Sequence, residues 1–156
     1  MGLIDKFKEF NENRREKAIA KNLKTLRNPK AIKEDRVAAI DFFKSFEDID
    51  IAIPALLMRF DYSLEHGIND TREKESAVEG IKKFGEPGLS YVLDHLKKSF
   101  HIAWPLKIYS SLANEDQLIE ALEACLDHGD VAFDQNKVDK NYDILCYLRA
   151  YKLKDH

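Results

Sequence analysis

At 156 residues, with 44% hydrophobic and 34% charged side chains, the chain has the length and composition of one folded domain with solvated outer surfaces. No apolar run reaches the ~20 residues that a membrane-spanning helix needs, and charges from Asp5 onward leave no apolar core for a secretion signal. The net charge of −3 is uneven, because residues 1–36 carry eleven basic against six acidic side chains and the remainder fourteen against twenty-two. We therefore expect a cytoplasmic protein whose N-terminal segment, and not its body, would attract an anionic partner.

The first predicted helix runs from Leu3 to Arg27, where helix-forming residues dominate and Gly and Pro are absent. It ends at Asn28-Pro29, because the residue before a proline is forced out of helical geometry. We treat residues 1–30 as a basic N-terminal arm and residues 31–156 as the main domain. The arm is expected to cover the first helix pair, to bind a second copy of the chain, or to lie on an anionic membrane. The membrane alternative would insert Leu3, Ile4, Phe7 and Phe10.

The first helix pair follows the arm. Its first member, from about Lys33 to Phe46, has the apolar spacing of an amphipathic helix. The residues expected to be buried there are Val37, Ile40 and Phe43. In the acidic turn that follows, Asp50 is the predicted N-cap of the next helix, because its carboxylate can accept free amides of the first turn. Pro54 is then expected in that first turn, where its missing N–H costs little.

The second pair follows an irregular connection from Asp61 to Asp70. Helix four is predicted to be capped by Asp70 or Thr71 and to end at Phe84, with Gly85 supplying a left-handed C-cap. The predicted buried stripe of helix five consists of Leu89, Val92, Leu93 and Leu96.

Three further helices complete the chain. Helix six begins at Trp104-Pro105 and helix seven spans Gln117 to Asp127. The segment from Asp130 to Lys140 is polar enough to be a loop. The last helix is predicted from about Val138 to Tyr151. No window alternates as a strand would, so the fold class is all-α.

A repeated pattern links these helices. The order small, aliphatic, large apolar, Phe occurs twice, thirty-eight positions apart: Ala39, Ile40, Phe43, Phe46 and then Ala77, Val78, Ile81, Phe84. Leu106, Tyr109 and Leu112 repeat the apolar spacing a third time. Each copy begins a pair of helices joined by a short turn.

Helix pairs joined by an acidic turn, with a proline near the start of the second helix, resemble HEAT-like or armadillo-type repeats. The resemblance covers Arg36 to His128 as three pairs, with residues 138–152 as a half repeat or cap. The phrase RFDYSLEHGINDTREKE at residues 59–75 and the later Trp104-Pro105-Leu106 look like features of small bacterial HEAT-repeat proteins. The resemblance implies an α-α superhelix, although the spacing of its repeats is irregular.

Motifs for catalysis, metal binding or phosphate binding are weak in this sequence. His66, His95 and His101 do not have the i, i+4 spacing that places two imidazoles on one zinc ion, and no HExxH is present. The oxygen-rich stretch from Asp127 to Asp139 has no EF-hand register with both the glycine and the glutamate. No serine lies in a nucleophile elbow and no glycine-rich phosphate loop occurs. We expect no cofactor, no metal and no catalytic residue.

The two cysteines and the single tryptophan of the sequence are each predicted to be buried. Cys125 and Cys146 stand in apolar helical contexts and are predicted to be buried free thiols of a reducing compartment, with a disulfide between them as the alternative. Trp104 is predicted to be a core residue rather than an exposed binding anchor.

The function predicted from this architecture is non-catalytic protein binding by a HEAT-type scaffold. The second helix of each pair would line a preformed groove. The predicted groove residues are Arg59, Tyr91, Asp94, His95, Lys98, Glu120 and Glu123. One alternative is a HEAT-like DNA-repair enzyme of the alkylpurine glycosylase kind or a small-molecule enzyme. Another is a peripheral membrane adaptor that uses the arm. The acidic body argues against a nucleic-acid partner, and a groove of mixed charge would favour the scaffold.

Overall fold

The computed structural model describes residues 3–127, 129 and 133–152, and the side chains of residues 8–127, 129 and 133–150. Helix is the only regular structure in these ranges, which confirms the all-α prediction. The α-helices are α1 (Leu3–Leu26), α2 (Lys33–Lys44), α3 (Ile49–Leu57), α4 (Gly67–Lys82), α5 (Leu89–Lys98), α6 (Ala103–Leu112), α7 (Glu115–Cys125) and α8 (Gln135–Lys152). Single 3-10 turns, Met58–Asp61 and Glu86–Gly88, precede α4 and α5.

The helices pack in two rows. In one row α2 contacts α4 and α4 contacts α6, and in the other α3 contacts α5 and α5 contacts α7. Contacts of α2 with α3, α3 with α4 and α5 with α6 join the rows. Phe43, Ile53, Leu56, Ile81 and Ile108 are among the fully buried side chains between them. Burial of these apolar faces is the main stabilisation of the fold.

The two halves of α1 have different surroundings. Ile19 and Leu23 pack against the core, Leu26 is fully buried, and α1 contacts α2. All described side chains from position 8 to position 17 are exposed. Phe10 is 57% exposed, and the guanidinium of Arg14 lies 5.6 Å from its ring centroid. The side chains of Leu3, Ile4 and Phe7, which the membrane alternative requires, lie outside the described residues.

The start of α3 differs from the prediction. Asp48, and not Asp50, is the N-cap, because its extended backbone lets its carboxylate accept the amide of Asp50 at 3.0 Å. The helix therefore begins at Ile49, two residues earlier than an Asp50 cap would allow. Pro54 consequently lies in the second turn and not in the first. In the second turn its missing N–H leaves one helical hydrogen bond unmade.

Helix α4 also begins earlier than predicted. It starts at Gly67, so neither Asp70 nor Thr71 caps it. The carboxylate of Asp70 accepts the Leu64 amide at 3.0 Å and an Arg59 hydrogen bond instead. The helix ends at Lys82, and its C-cap is Lys83 rather than the predicted Gly85. Gly85 instead precedes the 3-10 turn Glu86–Gly88 with a φ of 64°, the only positive φ among the described residues, which a glycine adopts without strain.

Other differences are smaller. Asn114 and Gln117 form a reciprocal capping box at 2.9 Å that begins α7 at Glu115, and α8 begins at Gln135. Residues 130–132 of the predicted loop lie outside the described ones. Val37 and Cys146 were predicted to be buried but are exposed. Cys125 is buried, and both thiols are free.

At Gly80, helix α4 packs closely against side chains of α2 and α3. A Cβ atom there would lie 2.6 Å from Lys44 Cγ and 2.7 Å from Leu56 Cδ1, closer than packed atoms tolerate. We expect Gly80→Ala to lower the free energy of unfolding by about 1–3 kcal/mol through overpacking. This loss should exceed the gain of roughly 1 kcal/mol that alanine brings to a helix interior.

Urea denaturation followed by circular dichroism measures the effect of Gly80→Ala. Gly67→Ala is the matched control, because a Cβ at Gly67 meets nothing within 4 Å. A Gly80→Ala protein as stable as the Gly67→Ala protein would show that the helices do not meet at this glycine.

Candidate binding groove

A pocket of about 370 Å³ opens between α3 and α5. Pro54 and Leu57 of α3, with Met58 after it, provide apolar surface. Polar side chains of α5 face them, and Asp61 and Arg27 complete the lining. We call this pocket the groove. It combines apolar surface with convergent polar groups, which is the usual composition of a binding site.

Helix α5 presents four of the predicted site residues together. Its apolar residues Leu89, Val92 and Leu96 are buried against the core. The opposite positions i, i+3, i+4 and i+7 then fall on one face of the helix. These positions are Tyr91, Asp94, His95 and Lys98, and all four line the groove.

Tyr91 is held in place by a hydrogen bond. Its hydroxyl donates to the carboxylate of Asp50, just inside the start of α3. This hydrogen bond raises the pKa of Tyr91, so the phenol stays protonated at neutral pH. An aromatic side chain fixed before binding loses little entropy when a partner arrives.

His95 and Asp61 form the closest contact between oppositely charged groups in the groove. Nε2 of His95 lies 3.2 Å from Oδ1 of Asp61, within ion-pair distance. The contact does not meet hydrogen-bond geometry, and Nε2 has no other partner and no contact with solvent. His95 carries a charge only when it is protonated, and Asp61 would then attract it. No Ser, Thr or Cys lines the groove to complete a hydrolytic triad.

Arg59 does not lie in the groove, so the prediction at this position is wrong. Its side chain is fully buried, with Nε 2.9 Å from Glu73 Oε2 and Nη2 2.7 Å from Asp70 Oδ1. The guanidinium also lies 4.5 Å from the ring of Tyr62. A charge is buried this completely only when partners satisfy it, and the two carboxylate partners of Arg59 come from α4.

The carboxylate of Glu73 is the centre of this buried cluster. It binds Arg59 with one oxygen, and Arg36 with both, through Nε at 3.0 Å and Nη2 at 2.9 Å. The hydrogen bonds that Arg36 donates to Glu73 raise the pKa of Arg36. Burial opposes the ionisation of Asp70, but hydrogen bonds from Lys74 and Arg59 outweigh it and hold the pKa of that carboxyl below its usual value. The cluster ties α2 and α4 to the turn that carries Met58 and Asp61 into the groove.

The other predicted residues lie elsewhere. Glu120 and Glu123 are exposed on α7 and do not line the groove. Trp104 is half-buried, and its ring stacks on Phe60 with centroids 6.3 Å apart, so it packs against the core as expected. The charged groove residues that sequence reasoning missed are Arg27 and Asp61. Neither belongs to an apolar stripe, and no spacing rule connects them to α5.

Other kinds of site find no support in the described part of the chain. No three His, Cys, Asp or Glu side chains come together there as metal ligands. His128 and Asp130, from the oxygen-rich stretch, lie outside the described residues. None of the helices in the described ranges combines the length and the apolar character needed to cross a membrane.

Comparison of the chain with protein-family models, with curated proteins and with solved structures found no match in any of the three. The likeness to HEAT repeats therefore stays a prediction from the sequence.

Proposed function

We propose that the protein is a non-catalytic binding module for another protein, built as a HEAT-like superhelix, and that the groove is its binding surface. The observation that carries this proposal is the single face of Tyr91, Asp94, His95 and Lys98 opposite the apolar surface of α3. A fixed aromatic side chain in a partly apolar pocket with a charged rim is the composition of a binding hot spot.

The order of helix contacts supports the superhelix. In stacked helix pairs, each pair contacts mainly its neighbours, first helix on first helix and second on second. The rows α2, α4, α6 and α3, α5, α7 follow that order. The groove then lies between the second helices of the first two pairs, where stacked repeats commonly bind their partners.

The charge of the groove favours a protein partner over a nucleic acid. Arg27 and Lys98 are balanced by Asp61 and Asp94. A duplex-binding surface needs several basic contacts without interspersed carboxylates, because each contact neutralises a phosphate. The same balance argues against a DNA-repair enzyme of the glycosylase kind, and the lining offers no nucleophile.

The exposed half of α1 argues against membrane attachment. From position 8 to position 17 it carries four basic and three acidic side chains, so its attraction to an anionic surface is weak. We assign this half of the arm no role in the proposed function.

Photo-crosslinking tests the proposal. A benzophenone amino acid at Asp94 should capture one protein of defined mass from the native cell, while the same probe at the exposed Lys107 of α6 should not. Tyr91→Ala should weaken the capture at least tenfold, because truncating an interfacial aromatic costs about 2 kcal/mol or more. Tyr142→Ala, at a tyrosine 67% exposed on α8, is the control. Equal capture by the Tyr91→Ala and Tyr142→Ala proteins would contradict the proposal.

A further inference from the structure

A second pocket, of about 300 Å³, lies where the end of α5 meets α7 and α8. Lys97, Lys98, Lys137 and Lys140 line it, and Asp127 is the one acidic residue in the described lining. We call it the lysine pocket. Four ammonium groups against one carboxylate give a local excess of positive charge in a body whose overall charge is negative.

Two of these lysines have partners within the chain. Lys140 is only 5% exposed, and its Nζ donates to the carbonyls of Leu96 and Lys97, the latter at 3.1 Å, at the end of α5. Burial lowers the pKa of Lys140. Lys137 pairs with Asp127 at 2.9 Å, and the other oxygen of that carboxylate accepts the Gly129 amide.

The other two lysines do not have such partners. Lys97 and Lys98 are exposed, and neither takes part in an ion pair within the described ranges. The carbonyls at the end of α5 favour positive charge, but Lys140 already binds them. Lys97 and Lys98 therefore present two ammonium groups at a pocket lined by four lysines and one carboxylate, and this excess of positive charge attracts an anionic group.

Lys98 joins the lysine pocket to the groove, because it lines both. A segment bound along this path would contact Tyr91 and the apolar surface of α3 at one end and Lys97 and Lys98 at the other. We propose, building on the proposed function, that the partner contributes an acidic segment whose carboxylates bind Lys97 and Lys98, next to an apolar residue that enters the groove.

Two other occupants fit this path less well. A nucleic-acid strand would bring its phosphates past Asp61 and Asp94, which would repel them. The arm of a second copy is basic, with nine Lys or Arg against four Asp or Glu in residues 1–30, so it would be repelled by the lysines.

A titration of the isotope-labelled full chain with an octaglutamate peptide tests the site directly, with amide chemical shifts as the readout. We expect saturable shifts at Lys97, Lys98 and Lys137 at low salt that disappear at high salt. The double substitution Lys97→Glu and Lys98→Glu should weaken peptide binding at least tenfold. Lys21→Glu with Lys24→Glu makes the same charge change on exposed positions of α1 and should have no effect. Both double variants replace exposed side chains, so unchanged urea midpoints will confirm that they fold.

The crosslinking assay separates this inference from the proposed function. If capture from position 94 depends on Tyr91 and falls at least tenfold in the Lys97→Glu, Lys98→Glu protein, both are supported. If it depends on Tyr91 but not on the lysines, the acidic segment is refuted and the proposed function stands. If it does not depend on Tyr91 while octaglutamate still binds at the lysines, the proposed function fails and the acidic site remains. Tighter binding of an oligothymidylate of eight nucleotides than of octaglutamate would overturn the inference in favour of nucleic acid.

Discussion

Replacement of Glu73 by alanine is expected to lower the free energy of unfolding by about 3–5 kcal/mol, because it leaves two buried guanidinium groups without their shared carboxylate. The side chains of Arg36 and Arg59 are 6% and 0% exposed, so water cannot take the place of the lost partner. Arg59 would keep only Asp70 as a carboxylate partner.

Urea denaturation of Glu73→Ala and Glu79→Ala provides a matched comparison on one helix. Glu79 is 73% exposed and pairs with Lys44 at 3.3 Å, so its removal should cost at most about 1 kcal/mol, as for other surface ion pairs. If Glu73→Ala does not fold, Glu73→Gln keeps the shape of the side chain and reports the loss of charge alone. Equal stability of the Glu73→Gln and Glu79→Ala proteins would refute the importance of the buried cluster.

Phe60→Ala is expected to destabilise the protein by about 3–5 kcal/mol, the range for large aromatic truncations in a core. Phe60 is 2% exposed, and its ring is parallel to that of Trp104 within 7°. The substitution therefore removes packing between the turn after α3 and the first residues of α6.

Trp104 reports this change, because it is the only tryptophan of the chain. Loss of the Phe60 ring exposes the indole to water, so its fluorescence should shift to longer wavelength in the folded protein. Phe133→Ala is the control. Phe133 is 80% exposed, and its removal should change stability by no more than about 0.5 kcal/mol and leave the emission unchanged. An unchanged spectrum in Phe60→Ala would show that the two rings do not stack.

Sequence reasoning predicted the helices well where local rules decide them. Asn28-Pro29 ends α1 through backbone geometry, and the last helical residue is Leu26 where Arg27 was predicted. Gly85 has the positive φ that the sequence suggested, although α4 already ends at Lys82. The face of α5 was also predictable. The apolar stripe of Leu89, Val92 and Leu96 determines which side of that helix is left for the groove.

Sequence reasoning failed where partners distant in the chain decide the outcome. Arg59 was predicted from helical periodicity to line the groove, but Glu73, fourteen residues later, and Asp70 pair with it and allow its burial. Glu73 in turn binds Arg36, thirty-seven residues before it. Asp61 is a groove residue for a similar reason, because the packing of α3 on α5 brings it to His95.

The shared carboxylate of Glu73 also has a consequence for how the chain comes apart. Stacked helix pairs often unfold one pair at a time from an end, since each pair contacts only its neighbours. Here the first pair cannot separate from the second unless the buried ion pairs of Arg36 and Arg59 with Glu73 are broken. The segment from α2 to α4 should therefore unfold as one cooperative unit. A different helix pair could replace the first one only if it also supplied the two arginines that bind Glu73.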